Sequence, residues 1–183
     1  QRVDGNYPSL EYPDYIAPTE STYTATATMT ALYEAKQNGV EGGCYSISNT
    51  DELKYFRDYV NQGFKTDGVI FFQNDDILMT NTADSWDPIG NDEKVAFQGT
   101  YDGQGYVLTG MAITGSSNGL GLFGYVNNAN ALIKNVGLFG VIVGGDNCGA
   151  IVGELMTGTV ANCWFDGELN AKDRVGGIVG KAD

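Results

Sequence analysis

Three versions of one phrase stand in the last third of this chain: Gly-Leu-Phe-Gly at 121–124, Gly-Ala-Ile-Val-Gly at 149–153 and Gly-Gly-Ile-Val-Gly at 176–180. Their closing glycines, Gly124, Gly153 and Gly180, fall at steps of 153 − 124 = 29 and 180 − 153 = 27 residues. Self-similarity at a fixed period of this size is the mark of a solenoid, in which each repeat buries its apolar face against its neighbours. A phosphate-cradling loop would gather its glycines once, before a helix; here they return in every repeat and are followed by further strand-like sequence. The glycines therefore predict structural turns, with no ligand loop.

A second phrase keeps the same beat. Ile133, Asn135, Val136, Leu138, Gly140 and Ile142 map 27 residues on to Val160, Asn162, Cys163, Phe165, Gly167 and Leu169. Stepping back 25 residues, Leu108, Met111, Ile113 and Gly115 align with Ile133, Val136, Leu138 and Gly140. Val136, Leu138 and Ile142 share one parity and Ile133 has the other, so the chain is predicted to turn a corner at Asn135, and again at Asn162. Asparagine tolerates left-handed dihedrals, and identical asparagines on successive coils can hydrogen-bond to one another. Strand, corner, strand in each 25–29-residue repeat predicts a mainly β chain folded as a right-handed parallel β-helix, the handedness following the general preference of parallel crossovers.

Upstream, "NTDELKYFRDYVNQG" (49–63) predicts a helix. Asn49 serves as N-cap, Glu52 completes a capping box, Leu53, Phe56 and Val60 form the apolar face and Gly63 ends it in the left-handed C′ position. Such a helix can cap the first coil. Threonine at 22, 24, 26, 28 and 30 alternates with Tyr23, Ala25, Ala27 and Met29, which predicts a strand with one polar face. The domain reading is an extended arm over 1–20, the Thr-alternating strand region over 21–43, an N-terminal cap over 44–96 and repeats over 97–183, with the last repeat expected to continue. The open end of the solenoid is also a place where another subunit could add a strand.

Composition excludes several chemistries. Ten Lys and Arg against 23 Asp and Glu give a formal net charge of −13, which disfavours nucleic acid and anionic membrane surfaces. With no histidine, Ser-His-Asp and Cys-His catalysis and histidine-ligated zinc are out of reach. No stretch approaches the ~20 apolar residues of a membrane span, and the first residues have no basic and apolar signal-peptide pattern, so an exported chain would be a processed form. Cys44, Cys148 and Cys163 show no CxxC spacing and allow at most one internal bridge; Cys148 and Cys163 stand where other repeats carry apolar residues and read as core thiols.

Two acidic groups and one aromatic pair are candidates for function. Asp75 and Asp76 could form a carboxylate pair for glycoside or uronate chemistry, and equally a turn closing a strand. Asp84, Asp87, Asn91 and Asp92 offer oxygen ligands without the order of a dedicated calcium loop, so no metal and no cofactor is expected. Phe139 and Trp164 have the outward parity of their strands; they are the candidate contact surface, for glycans or another subunit, and equally a pair that a neighbouring loop or the N-terminal arm covers.

"FQGTYDGQGYVLTGMAI" (97–113), "GLFGYV", "ALIKNVGLFG", "GAIVGEL", "GTVANCWFDGEL" and "GGIVG" together resemble the GLUG-repeat proteins of bacterial surfaces, found in adhesins and beside IgA-protease-like metalloproteases. "YSISNTDELKYFRDYVNQG" and "DSWDPIGN" are similar to the region before the first repeat in that family, so the resemblance covers about residues 44–183. It implies a secreted or cell-surface stalk or scaffold, with no enzyme activity in this part, whose partners are itself, further domains, or host or microbial glycans and proteins. The metalloprotease motif HExxH is absent, so no protease chemistry follows. A filament subunit joined through the N-terminal arm and a carbohydrate-active β-helix are the alternatives.

Overall fold

The computed structural model describes residues 23–35, 42–79 and 85–183; the expected arm over 1–20 lies outside them. The chain is mainly β, and every strand pairing is parallel. In chain order the elements are β1 (Ala27–Thr28), α1 (Met29–Glu34), β2 (Cys44–Ile47), α2 (Thr50–Asn61), β3 (Ile70–Gln73), β4 (Ile77–Leu78), a 3-10 turn (Glu93–Val95), β5 (Thr100–Asp102) and β6 (Val107–Thr114). Then follow β7 (Phe123–Lys134), β8 (Gly137–Val143), β9 (Asp146–Gly149), β10 (Val152–Ala161), β11 (Trp164–Asn170), β12 (Asp173–Gly176) and β13 (Val179–Ala182). They make a seven-stranded sheet in the order β1-β2-β3-β5-β7-β10-β13, a four-stranded sheet β11-β8-β6-β4 and a two-stranded sheet β12-β9.

The register shows how the repeats stack. Phe165 lies on Leu138 and Leu169 on Ile142, Val175 lies on Cys148, and Val160 lies on Ile133, each 27 residues below its partner in sequence. The expected step of 25 residues to the preceding repeat is wrong: Leu108 lies on Leu138 and Ile113 on Ile142, so the step is 138 − 108 = 30, falling to 142 − 113 = 29. The one-residue change is a bulge between Thr109 and Met111, where Gly110 takes a φ of +78°. A period-two pattern superposes on shifted copies of itself, and the bulge breaks the parity that would have separated them.

The core is one cluster shared by all three sheets and α2. Phe56 of α2 stacks on Tyr101 at 5.6 Å and meets Phe71, Phe97 and Phe123. This aromatic group ties β3, β5 and β7 to the helix, and edge-to-face or offset pairs add about 0.5–1.5 kcal/mol each beyond burial. Asn49 Oδ1 accepts from the Glu52 amide at 3.0 Å, and Gly63, at φ +84°, donates to the Val60 carbonyl at 2.8 Å. The capping box is modified: Glu52 is buried, and its carboxylate accepts from the Ser48 amide at 2.8 Å and from the Thr30 hydroxyl at 3.0 Å. Glu52 thus pins α1 to α2 where a standard box would return to the cap residue's own amide.

The Thr-alternating segment departs from its expected strand. Only Ala27–Thr28 is extended among its described residues; Thr28 caps α1 through its hydroxyl, which accepts from the Ala31 amide, and the chain is helical from Met29. Met29 and Leu32, three apart, are both buried, so the helical spacing of two large apolar groups outweighs the threonine alternation. β1 pairs with β2 over two residues and forms the edge of the large sheet.

Candidate functional site

The outward face of the four-stranded sheet collects unusual side chains. Leu138 and Ile142 of β8 point into the core, which turns Phe139, Val141 and Val143 outward. Phe139 lies between Thr109 of β6 and Asp166 of β11, and Thr109 in turn lies against Leu78 of β4. Val141 lies against Glu168 and Val143 against Asn170. Trp164 is in register with Gly137; a Cβ on Gly137 would meet the indole Nε1 at 3.0 Å and Cε2 at 2.6 Å, so the ring occupies the space a side chain there would fill. Phe139 and Trp164 pack edge to face, with centroids 5.0 Å apart and planes at 79°.

Both aromatics are half-buried, whereas Leu78 is 56%, Val141 41% and Val143 43% exposed. Of the four large apolar side chains that stand exposed among the described residues, these three share this one face. The face is thus an apolar strip edged by the carboxylates of Asp166 and Glu168 along β11. Apolar surface gathered in this way marks contact sites.

The acids singled out in the sequence have local tasks. Asp76 Oδ1 accepts from the Val107 amide at 2.8 Å, and Asp75 Oδ1 from the Asp76 amide at 2.8 Å, so both close the turn between β3 and β4 and tie it to β6. Asp87 accepts from Asn91 at 2.9 Å and from Asn61 at 3.2 Å, while Asp92 caps the 3-10 turn by accepting from the Lys94 amide. Asp84 lies outside the described residues. Among the described residues no three His, Cys, Asp or Glu side chains gather as a metal site would require.

The corner asparagines take the left-handed conformation, with φ +56° at Asn135 and +52° at Asn162, and the amide of Asn162 donates to Asn135 Oδ1 at 3.4 Å. Below them is a group the sequence reading did not single out. Asp102, its side chain 3% exposed, accepts from Asn135 Nδ2 at 2.9 Å, the Gln104 amide at 2.8 Å and the Tyr23 hydroxyl at 2.9 Å, and pairs with Lys134 at 3.1 Å. Burial pushes the Asp102 carboxyl up, but these hydrogen bonds outweigh it and hold it below the usual carboxylate range. A second left-handed row, Gly119, Asn147 and Arg174, runs at the start of β9 and β12. Its signal in sequence is the 27-residue step from Asn147 to Arg174, masked because arginine is not a residue expected there.

The closing glycines are not turn residues. Gly124, Gly153 and Gly180 lie inside β7, β10 and β13, stack in register, and have no positive φ. What requires glycine is space: a Cβ on Gly153 would lie 2.6 Å from Gly119 Cα and 2.7 Å from the Leu120 amide, and one on Gly180 2.6 Å from the Cys148 amide. The bend itself is at Ala150–Ile151 and its equivalents, just before these strands. Of the two core thiols, Cys148 is fully buried and Cys163 only partly, because Cys163 directly precedes β11, an edge strand with no described strand on its outer side. Both thiols are pushed up by burial, and all three cysteines are free.

No family model matches the chain, and no solved structure matches it. Halomucin of Haloquadratum walsbyi is 27% identical over 186 residues, covering 93% of this chain and 2% of its own length. A protein of Evansella cellulosilytica described as "Putative Gly-rich membrane protein" is 32% identical over 122 residues, covering 64% of this chain and 13% of its own length. The chain thus spans a small part of each. Among the described residues no helix is long and apolar enough to cross a membrane.

Proposed function

We propose that this chain is a non-enzymatic scaffold segment of a secreted or cell-surface protein, folded as a right-handed parallel β-helix of the GLUG-repeat kind. The observation that carries the reading is the common 27-residue step in three separate parallel sheets, seen at Leu138–Phe165, Cys148–Val175 and Val152–Val179. A chain that returns to three sheets at one interval is wound as a coil, with about 4.8 Å gained per turn. The names of its two relatives, a halomucin and a Gly-rich membrane protein, fit a place at or outside the cell envelope. The apolar strip of Phe139, Val141, Val143 and Trp164 is the surface through which such a scaffold would adhere.

Asp75 and Asp76 each accept one backbone amide at the turn, which supports the turn-closing reading of these acids over the carbohydrate-active alternative. Imaging of the natural protein, combined with antibody labelling of intact cells, tests the proposal. A surface-labelled rod lengthening by about 4.8 Å per repeat is expected; a compact particle, or label only after the cells are opened, refutes it.

A further inference from the structure

The outer face of the four-stranded sheet is one-sided in its charge. β4, β6, β8 and β11 carry two charged residues between them, Asp166 and Glu168, and no lysine or arginine. Both acids stand on β11, exposed and two positions apart, so they point the same way, outward from the core. Among the described residues neither carboxylate accepts a hydrogen bond or forms an ion pair.

Beside the acids lies apolar surface. Val141 and Val143 of β8, 41% and 43% exposed, are in register with Glu168 and Asn170, and Ala112 and Thr114 of β6 continue the face on their other side. An apolar row and an acidic row thus run side by side, about 4.8 Å apart. Strand parity sets their exposure, so this surface is a flank of the sheet and not one of its ends. A partner that covered the valines alone would dry the surroundings of two unpaired carboxylates at a cost in free energy. A partner that brings cations to the same flank turns that cost into attraction and into selectivity.

We propose that this flank docks a basic amphipathic helix of a partner protein, its apolar stripe on Val141 and Val143 and its lysines or arginines on Asp166 and Glu168. The inference rests on the reading of this face as an adhesive surface and names what adheres. Cationic side chains four apart on a helix are spaced about 6 Å along its axis. Side chains two apart on a parallel strand are spaced about 6.6 Å, so one row of cations meets both carboxylates. A second copy of this chain does not complement the flank: it brings the same acidic row, no cation on that face and a formal net charge of −13. An anionic membrane surface meets the same repulsion.

The test titrates the chain into a fluorescently labelled peptide whose leucines form one helical face and whose other positions are lysine, and reads anisotropy. A glutamate-for-lysine counterpart and a serine-for-leucine counterpart are titrated beside it. The leucine-lysine peptide is expected to bind about tenfold or more tightly than either counterpart. Asp166→Asn with Glu168→Gln should weaken it about fivefold, through the loss of two exposed charge contacts. Val141→Thr with Val143→Thr should weaken it by a similar factor of about five, through lost apolar contact. Asp67→Asn with Glu93→Gln removes two exposed acids elsewhere, giving the same net charge of −13 + 2 = −11 as the first pair. That control should leave binding within about twofold, because salt screens distant charges. Urea unfolding establishes that each variant is folded. Equal weakening by the two charge-removing pairs means attraction to net charge alone and overturns the site. Equal binding of the lysine and glutamate peptides, lost in the valine variant, overturns the basic partner and leaves the face adhesive. Binding of chitohexaose, or self-association in sedimentation, that the valine variant abolishes overturns the helix in favour of a glycan or a second copy. No binding of any probe and no self-association overturns the inference and the adhesive reading together.

Discussion

Gly153→Ala gives the sharpest test of why the glycines recur. The residue is buried in β10 with no positive φ, so alanine meets no conformational objection there. At an unhindered site of that kind the change should stabilise by about 0.4–1 kcal/mol, through reduced freedom of the unfolded chain. At Gly153, however, the new methyl falls 2.6 Å from Gly119 Cα and 2.7 Å from the Leu120 amide, both backbone atoms held in the neighbouring segment. Such overpacking costs about 1–3 kcal/mol, which leaves a net loss of about 1 kcal/mol once the unfolded-state gain is subtracted. Two controls isolate the cause. Gly177 has no atom within 4 Å of its Cβ position and no positive φ, so Gly177→Ala should be neutral or stabilising. Gly68 is equally open but sits at φ +73°, so Gly68→Ala should cost about 1–2 kcal/mol from dihedral strain alone. Equilibrium urea unfolding of the four proteins reads the order directly. If Gly153→Ala is as stable as Gly177→Ala, the close-approach argument is wrong.

Asn135→Ala should cost about 2 kcal/mol, combining a left-handed alanine with a buried carboxylate deprived of a donor, and Asn135→Gly should cost less because only the second effect remains. Because the Asp102 carboxyl titrates below its ordinary value in the fold, its stabilisation is fully present above the unfolded value near 4 and is lost as the pH falls from there through the lower folded value. Asp102→Asn should therefore flatten that acid limb in urea midpoints measured from pH 6 to 2, while lowering stability at pH 7. A double-mutant cycle on Phe139→Ala and Trp164→Ala should give a coupling of about 0.5–1.5 kcal/mol, and a value near zero would deny that the pair is a fixed unit of the outer face.

The parts of the fold that announce themselves in sequence do so through local chemistry or an undisturbed period. Asn49 and Gly63 bracket α2 because capping needs only residues a few positions apart. The 27-residue match between β8 and β11 is visible because no bulge interrupts it. Where one does, at Gly110, the apolar pattern alone aligns at 25 residues instead of the true 30. The closing glycines look like turn residues in sequence because a glycine appears there without the reason for it; strain in φ and lack of room look alike until the facing backbone of Gly119 and Cys148 is known. Asp102 was invisible for a similar reason. Its partners Tyr23, Lys134 and Asn135 lie 32 or more residues away and meet only when β5 pairs in the large parallel sheet. The outward aromatics Phe139 and Trp164 follow from parity alone, yet the exposed valines beside them and Leu78 from β4 join the strip only through the register.

The central claim is that the last two repeats lie on one another in parallel at a 27-residue step. Interstrand nuclear Overhauser effects in the isotopically labelled protein test it most directly. The account predicts contacts between backbone protons of Glu168 and Val141, Phe165 and Leu138, and Val175 and Cys148, in the pattern of parallel neighbours. Close Hα–Hα contacts between these strands, the mark of antiparallel pairing, or pairings at any other step, would contradict it.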